Sequence, residues 1–320
     1  MIPYYMNKDD LEFSVVVPIY NEEGNILSLH DEIVSAVSNI SQKYEIIYIN
    51  DGSTDGSLAD LKSLTNATII NLNHNYGQAT AFDAGFKASR GHIVVSMDGD
   101  GQNDPKDLSL LLTKMGKENL DVVTGWRKAR NDKNGIKILT RIGRKLRRLL
   151  IKDSTHDTGC SFRAYKKEAV KSLDIGGEMH RYILALLRWK GFTIGEVVVS
   201  DRARIHGKSK YNYSKALRGF IDLIYVWFIH KYSQRPLHLF GSMSLVLIFF
   251  GFLAGIWTLY GKLFLDLSLN RNGWAMVTFF FLIGGVMLFS FGLIIDLLIK
   301  LNLNNSPYEK RYYIREIIEK

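Results

Sequence analysis

The sequence predicts an α/β fold: an open, mostly parallel β-sheet flanked by helices, followed by two helices that cross a membrane. Three observations support this prediction. Short apolar segments rich in β-branched residues alternate with helical patterns in the first part of the chain. The most apolar of these segments ends in a pair of carboxylates. Two long apolar runs lie near the end of the chain, and each is long enough to span a bilayer.

Five short apolar segments are predicted strands, because their β-branched residues suit a sheet that is buried on both faces. A helical pattern follows the first of them through about Ile40, and another runs from Gly77 to Ser89. Strands that alternate with helices favour a parallel sheet, in which ligands bind outside the carboxyl ends of the strands. The predicted strands are residues 14–19, 45–50, 68–72, 93–97 and 121–124.

Carboxylates follow three of these strands closely. Asp98 and Asp100 come after the fourth strand, Asp51 after the second and Glu22 after the first. Glycines beside Asp98 and Asp100 let the backbone bend, so both carboxylates can reach one place. Such oxygens suit a hard cation, Mg²⁺ or Mn²⁺, that bridges phosphate groups. The alternative for this pair taken alone is a solvated turn.

The composition narrows the class of protein. The chain has 320 residues, a net charge of +9 and a pI near 9.3, which indicates an anionic partner such as nucleic acid or an anionic membrane surface. Its one cysteine, Cys160, excludes an internal disulfide and a cysteine-based zinc cluster. Residues 1–13 are polar and predict no secretory signal, so we expect the first domain to stay in the cytosol.

Two common nucleotide-binding motifs do not fit this sequence. No Gly-x-Gly-x-x-Gly opens the first helix, which argues against a dinucleotide-binding Rossmann domain. Residues 207–209 (Gly-Lys-Ser) imitate the end of a P-loop, but Arg202 stands where that motif needs its first glycine. A dinucleotide-binding Rossmann domain and a P-loop are therefore both disfavoured.

Five motifs resemble one known family over essentially the whole chain. Residues 17–23, 50–55 and 98–102 look like the family 2 inverting glycosyltransferases of GT-A fold. Residues 157–163 and 204–211 are similar to the polyisoprenyl-phosphate branch of that family. That branch includes dolichol-phosphate mannose synthases and bactoprenol glucosyltransferases.

The resemblance implies one reaction and leaves alternatives open. It implies inverting transfer of a single sugar, which we expect to be glucose, from a UDP-sugar to undecaprenyl or another polyprenyl phosphate at the cytoplasmic face of a membrane. The alternatives are a GDP-mannose-dependent mannosyltransferase and a nucleotide-sugar-binding membrane scaffold without turnover. Processive polysaccharide synthases of the family carry Gln-x-x-Arg-Trp, and Ala185 stands here in place of that glutamine. A chain-extending enzyme is therefore disfavoured.

The resemblance also assigns roles at the donor end of the site. Asp100 is expected to coordinate a divalent metal, Mg²⁺ or Mn²⁺, and to be essential for catalysis. Asp98 and Gln102 are expected to assist as metal ligands or to contact the ribose. The nucleotide pocket is expected to comprise Pro18, Tyr20, Glu22, Asp51 and Asp98.

At the acceptor end, Asp157 is expected to be catalytic in one of two roles. It could take a proton from the acceptor, or it could orient the sugar or Arg163. A phosphate monoester has a second pKa of about 6 and is already nucleophilic near pH 7, so it needs a base less than a sugar hydroxyl does. The cations expected to hold the acceptor phosphate are Arg127, Arg141, Arg163, Arg202, Arg204, Lys208 and Lys210.

The end of the chain is predicted to enter the membrane. The apolar runs at 237–265 and 274–299 each meet the roughly 20-residue length of a spanning helix. Lysine and arginine flank the outer ends of both runs, which predicts a hairpin in the inner membrane with both ends cytoplasmic. Amphipathic segments at 136–151 and 216–232 are expected to lie on the lipid surface, although the first could equally be an ordinary packed helix.

These patterns also predict the domain organisation. The spans are expected to be tethers, so a chain ending near Tyr232 should still bind the donor nucleotide. Gly251 and Gly255 predict close helix packing, within one protomer or between protomers of a homo-oligomer. No nucleic-acid-binding motif accompanies the positive charge. The predicted parts are a GT-A catalytic domain (1–212), an amphipathic juxtamembrane helix (213–235), two transmembrane helices (236–302) and a cytoplasmic tail (303–320).

Overall fold

A computed structural model of the chain describes most of its residues and divides it into two compact units. The first unit is Met1–Leu223 with Lys310–Lys320, and the second is Ile224–Glu309. The residues described are 11–128, 148, 150–151, 155–177, 179–202, 223–228, 231–232, 236–265, 268, 273–305, 312 and 314–319.

The first unit is built on an eight-stranded sheet in the order β7-β5-β6-β4-β1-β2-β3-β8. β1 to β4 are parallel to one another where they pair, β6 runs antiparallel between β4 and β5, and β8 runs antiparallel to β3. The predicted fold class is therefore confirmed. The strands are β1 (Phe13–Ile19), β2 (Tyr44–Asn50), β3 (Thr68–Leu72), β4 (Ile93–Ser96), β5 (Val122–Trp126), β6 (Arg163–Lys166), β7 (Ile194–Val198) and β8 (Ile314–Glu319).

Helices cover both faces of the sheet, so the central strands are buried at nearly every position and are mostly apolar. The helices are α1 (Ile26–Ser38), α2 (Ser57–Ser63), α3 (Gln78–Ala88), α4 (Leu108–Lys117), α5 (Lys167–Lys171) and α6 (Ile183–Trp189), with 3₁₀ turns at Pro105–Asp107 and Met179–Tyr182. Val15 and Val17 of β1 pack with α1, α2 and α4 on one face, whereas Val16 packs with α3, α5 and α6 on the other.

The strand order reverses at β1, which has β2 on one side and β4 on the other. Open α/β sheets bind ligands at the carboxyl ends of the strands at such a reversal. Gly99 lets the loops after β1 and β4 meet there, because a Cβ at this position would overlap Ile19 Cδ1 and lie 3.0 Å from the Pro18 carbonyl oxygen. The fold thus brings the Asp98 loop directly onto the end of β1.

The strand β8 was not predicted, because sequence analysis assigned residues 303–320 to a tail. Ile314–Glu319 instead forms an edge of the sheet and pairs with Thr68–Leu72. Ile318 packs against the core, and Glu316 forms an ion pair with Lys62 of α2 at 2.8 Å. Chain on both sides of the two long apolar helices therefore belongs to one sheet.

The second unit contains those helices, α7 (Pro236–Phe264) and α8 (Gly273–Asn305), and both are long and apolar enough to cross a membrane. They pack antiparallel, with Gly251 against Leu282 and Ser244 Oγ donating to the Gly285 carbonyl oxygen at 2.7 Å. Gly251 thus serves packing within one protomer, and a homo-oligomer stays a prediction.

Two predicted amphipathic segments are described only in part. Within 216–232, residues 223–228 and 231–232 are helical. Within 136–151, the described residues 148, 150 and 151 are helical, and the rest of that segment lies outside the described part of the chain.

Candidate active site

Asp51 follows β2 directly and binds the backbone of the loop after β3. Its carboxylate is 2% exposed and accepts hydrogen bonds from the backbone N–H groups of Tyr76 (2.8 Å) and Gly77 (2.9 Å). Burial raises the pKa of Asp51, and these two N–H groups oppose that rise. Gly52 adopts a φ of +66°, and a Cβ there would overlap the backbone of His74. The loops after β2 and β3 are therefore in direct contact.

The segment after β1 contributes the other predicted nucleotide-binding residues. Tyr20 is 42% exposed and Pro18 is half-buried, so both offer surface at the end of the strand. The backbone N–H of Glu22 donates to Ser57 Oγ at 2.9 Å, and its carboxylate accepts from Asn25 Nδ2 at 2.8 Å. Glu22 therefore joins the starts of α1 and α2.

Asp98 and Asp100 follow β4 on a loop with its own hydrogen bonds. The Asp98 N–H donates to Asn103 Oδ1 at 3.1 Å, and the Asp98 carboxylate accepts from Gln78 Nε2 at 2.6 Å. Asp100 is 6% exposed and its Oδ1 accepts from the backbone N–H of Gln102 at 3.1 Å. A side chain of α3 thus contacts the carboxylate of Asp98, and the backbone of the loop itself contacts the carboxylate of Asp100.

Two arginine side chains, Arg127 and Arg163, act electrostatically on Asp98. Burial raises the pKa of Asp98 most, and the negative charge of Asp100 raises it further. The guanidinium groups of Arg127 and Arg163 act in the opposite direction. Strands β5 and β6 therefore bring positive charge to the carboxylate pair that follows β4.

These carboxylates fit a metal that is shared with substrate. The described residues contain no group of three or more histidine, cysteine, aspartate or glutamate side chains arranged to hold a cation. Mg²⁺ and related ions are commonly held by one or two carboxylates together with substrate phosphates, and Asp98 and Asp100 supply such hard oxygens. The side-chain amide of Gln102 lies 3.5 Å from the Arg202 carbonyl oxygen, so its predicted contact with a metal stays a prediction.

Asp157 and Arg127 form a bidentate ion pair between the end of β5 and the start of β6. Arg127 Nε donates to Asp157 Oδ2 at 2.8 Å and Nη2 donates to Oδ1 at 3.2 Å. The Gly159 N–H also donates to Oδ1, at 3.1 Å. The side chains are only 12% and 10% exposed. Burial lowers the pKa of Arg127, but the hydrogen bonds and charge of Asp157 outweigh that effect and raise it overall.

The loop that carries Asp157 is anchored by its preceding residue. His156 donates its backbone N–H to Glu196 Oε1, and its Nδ1 lies 2.8 Å from Glu196 Oε2. The His156 ring stacks on Trp126 of β5 with centroids 4.3 Å apart. Glu196 of β7 and Trp126 thus fix the loop against the sheet.

The structure gives different surroundings to the predicted phosphate-binding cations. Arg163 is 3% exposed and donates from Nη2 to the Thr158 carbonyl oxygen at 2.9 Å. Arg202 forms ion pairs with Glu32 at 2.5 Å and Asp104 at 2.7 Å, so its guanidinium is already occupied by two carboxylates. Of the remaining predicted cations, Arg127 forms the pair with Asp157, and those outside the described residues are Arg141, Arg204, Lys208 and Lys210.

Sequence reasoning missed Gln78, Asn103 and Glu196, which orient the predicted site residues. Gln78 and Glu196 contact residues that are 20 and 40 positions away in the chain, and Asn103 contacts Asp98 across an irregular loop. The one available signal was the position of Gln78, which begins a helix that directly follows a strand-end loop.

Comparison with known proteins identifies the family. Residues 14–174 match the family described as glycosyl transferase family 2. The chain belongs to that family. A dodecaprenyl-phosphate galacturonate synthase from Rhizobium johnstonii is 33% identical, over 97% of this chain and 94% of the relative. An undecaprenyl-phosphate 4-deoxy-4-formamido-L-arabinose transferase from Aeromonas hydrophila is 28% identical, over 98% and 96%.

Solved structures support the GT-A fold of this family 2 glycosyltransferase. Glucosyl-3-phosphoglycerate synthase from Mycobacterium tuberculosis, in complex with Mn²⁺, UDP and phosphoglyceric acid, superposes with a TM-score of 0.55 at 20% identity. The match covers 69% of this chain and 78% of that one. The sequence-based expectation of a family 2 glycosyltransferase of the polyisoprenyl-phosphate branch is confirmed. Neither named relative is a glucosyltransferase.

Proposed function

We propose that this glycosyltransferase moves one sugar from a UDP-sugar to a polyprenyl phosphate. The observation that carries the proposal is the convergence of Asp51, the Asp98/Asp100 pair and the Arg127–Asp157 ion pair at one edge of the sheet. That edge contains the carboxyl ends of parallel strands, where a nucleotide and its phosphates bind in folds of this class.

The acceptor is inferred from the relatives and from the apolar helices. Two relatives that align over nearly the whole chain are named for dodecaprenyl phosphate and undecaprenyl phosphate. Helices α7 and α8 are long and apolar enough to hold the enzyme in the bilayer. Tethering there raises the effective concentration of a lipid acceptor without adding a contact to it.

We assign the catalytic unit to the cytoplasmic side of the inner membrane. Two crossings return a chain to the side from which it left, and β8, which follows α8, lies in the same sheet as β1. The excess of lysine and arginine at the outer ends of the two spans favours the cytoplasm for that side.

The donor would lie across the ends of β1, β2 and β4. Pro18, Tyr20 and Asp51 border the nucleoside, and Asp98 and Asp100 face its diphosphate. A divalent cation bound there supplies Lewis acidity that neutralises charge on the leaving diphosphate. UDP is favoured as the nucleotide because structural neighbours bind it, as in the Mycobacterium tuberculosis complex.

Asp157 would orient Arg127 rather than remove a proton. Its two oxygens already accept from Nε and Nη2 of Arg127 and from the Gly159 N–H. Arg127 Nη1 takes no part in those bonds, and a guanidinium held in this way matches phosphate oxygens well. An acceptor phosphate is largely dianionic near pH 7 and can attack the sugar without a base.

A donor panel tests the function. Purified full-length protein is given undecaprenyl phosphate and one nucleotide sugar at a time, and both free nucleotide and lipid-linked sugar are measured. We expect product with a UDP-sugar and none with GDP-mannose. The transferred sugar is identified by comparing two donors in the panel. One is UDP-glucose, expected from the family resemblance, and the other is UDP-galacturonate, suggested by the name of one relative. Product with GDP-mannose alone would show that the donor is GDP-mannose rather than a UDP-sugar. The absence of product with every donor would favour a nucleotide-sugar-binding scaffold without turnover.

Replacing Asp157 with asparagine tests the orienting role. We expect turnover to fall about 100-fold, because a misplaced Arg127 costs rate without removing the donor site. UDP-sugar affinity should stay within about threefold. The deficit should remain constant from about pH 6 to about pH 8.5, as measured by turnover at saturating substrate. If Asp157 were a base, the advantage of the unmodified enzyme would shrink above about pH 7, where the acceptor has lost its own proton.

Glu196→Gln is the matched control for that experiment. Glu196 anchors the same loop through His156, and the Arg127–Asp157 ion pair does not include it. We expect it to reduce turnover much less than Asp157→Asn does. Equal losses in the two variants would mean that Asp157 only orders the loop.

A further inference from the structure

We propose that Gln78 is the positioning residue of the metal-binding carboxylates, acting through Asp98. This inference rests on the proposed function, because it needs a donor diphosphate and its metal at the Asp98/Asp100 pair. Gln78 is the first residue of α3, and its Nε2 donates to Asp98 Oδ1 at 2.6 Å. The sequence motifs contain no role for it.

The hydrogen bond from Gln78 Nε2 restrains Oδ1 of Asp98. The backbone N–H of Asp98 is fixed independently by Asn103 Oδ1 at 3.1 Å. On the β5 and β6 side, the neighbouring charges come from Arg127 and Arg163. The Ser161 side chain also acts on this carboxylate from the start of β6. Gln78 is the contact that α3 makes, and together with Asn103 it restricts the direction in which the Asp98 carboxylate points. Partners that hold a ligating group in this manner commonly set metal affinity.

Gln78 also connects the metal end of the site to the nucleotide end. The residue before it, Gly77, donates its backbone N–H to Asp51 Oδ2 at 2.9 Å, and Tyr76 donates to Oδ1 at 2.8 Å. Asp51 therefore fixes the backbone from which the Gln78 side chain projects. Two hydrogen bonds, joined by the Gly77–Gln78 peptide at the start of α3, thus connect Asp51 to Asp98.

Because Gln78 is the first residue of α3, a glutamate at this position can distinguish a role in the helix from a role toward Asp98. A glutamate at a helix N-terminus is favourable for the helix, because the N-terminal end of the helix dipole is positive. If Gln78 served only the helix, Gln78→Glu would therefore preserve or raise the melting temperature. At the same time it replaces a donor to Asp98 with a second carboxylate. A purely helical role and a role toward Asp98 predict opposite results for this variant.

The experiment compares Gln78→Ala and Gln78→Glu with the unmodified full-length protein in detergent. Mn²⁺ affinity is measured by electron paramagnetic resonance at saturating UDP, and UDP affinity without metal is measured by calorimetry. We expect Mn²⁺ affinity to fall about 10- to 100-fold in Gln78→Ala, the usual range for removing a partner of a metal ligand. We expect Gln78→Glu to remain below the unmodified protein, because a carboxylate cannot donate a hydrogen bond to Asp98. UDP affinity without metal should stay within about threefold of the unmodified protein, since Asp51 is unchanged.

Ser109→Glu is the control for a new charge at a helix start, because Ser109 is exposed in the first turn of α4. It should leave Mn²⁺ affinity unchanged. Mn²⁺ affinity equal to or above that of the unmodified protein, in either Gln78→Ala or Gln78→Glu, would overturn the inference while leaving the proposed function intact. Equal loss of metal-free UDP binding in both Gln78 variants would likewise overturn it, because that result indicates a loop defect. Failure of the unmodified protein to bind Mn²⁺ and UDP would overturn the proposed function and this inference together.

Discussion

Asp100→Ala is expected to lower sugar transfer by at least about a thousandfold. A metal that neutralises the leaving diphosphate contributes several kcal/mol to the transition state, and each 1.36 kcal/mol is about a tenfold change in rate. Asp100 is buried at the end of β4 and accepts the Gln102 N–H, so its oxygens are already oriented. Excess EDTA should abolish transfer in the unmodified enzyme, and added Mn²⁺ or Mg²⁺ should restore it. The measurement is lipid-linked product at saturating donor.

The control for this substitution must be a carboxylate that holds no loop of the site. Asp60 fails that requirement although it lies on α2, because its Oδ2 accepts the backbone N–H of Gly24 in the loop after β1 at 3.1 Å. Asp31 is exposed on α1 and serves better. Asp31→Ala should retain nearly full activity. Full transfer by the unmodified enzyme in excess EDTA would exclude a metal from the mechanism.

Ending the chain near Tyr232 is expected to abolish UDP binding, the reverse of what the sequence suggested. Such a chain lacks β8 and leaves the edge of β3 unpaired over Thr68–Leu72. An unpaired, apolar edge strand promotes association with other chains. We therefore expect aggregated protein, measured by size-exclusion chromatography, and no UDP binding by calorimetry.

The loss should extend to the donor loop because β8 is connected to it by side chains. Glu316 of β8 accepts from Asn71 Nδ2 at 3.2 Å, and Asn71 Oδ1 accepts from Asn50 Nδ2 at 2.8 Å. Asn50 Oδ1 in turn accepts the backbone N–H of Ser53, two residues after Asp51. Asn50 and Asn71 are only 1% and 3% exposed in the intact sheet. Removal of β8 takes away the carboxylate that Asn71 Nδ2 contacts and opens Asn71 to water, which weakens the link from the sheet edge to the Asp51 loop.

The matched variant removes residues 236–305 and joins the remaining parts through a flexible Gly/Ser linker, so that β8 is retained. We expect this protein to be monodisperse, to bind UDP and to use membrane-embedded acceptor poorly. UDP binding by the chain that ends near Tyr232 would show that β8 is dispensable. Loss of UDP binding in the linked variant would show that α7 and α8 contribute to the folding of the catalytic unit.

Sequence patterns predicted the strands that contain a run of apolar, β-branched residues and missed the others. β1 to β5 each contain such a run because they are largely buried, although β2 and β3 also carry the buried polar residues Asn50 and Asn71. β6 and β7 contain Arg163, Lys166 and Glu196, which interrupt such a run. β8 depends on pairing between Thr68 and Glu319, which are separated by both long apolar helices.

Sequence patterns could locate candidate site residues at strand ends, but not the side-chain contacts that depend on packing. Asp51, Asp98 and Asp100 were proposed because ligands bind at the carboxyl edge of a parallel sheet, and the structure places all three shortly after β2 or β4. The contact of Gln78 with Asp98 joins a helix to a loop 20 residues later in the chain, and no local pattern encodes it. The same holds for Arg202, whose partner Glu32 lies 170 residues away. Long-range partners of this kind determine which cations remain available for phosphate.

The position of β8 gives biosynthesis a defined order. A ribosome delivers β1 to β7 first, then α7 and α8, and only afterwards the strand that completes the sheet beside β3. In the proposed two-span topology, a nascent chain in which only one of the two helices had crossed the bilayer would leave β8 on the opposite side of the membrane from β3. In that topology, completion of the sheet requires both crossings, and a chain that misses one of them keeps an unpaired edge at β3, which promotes association with other chains.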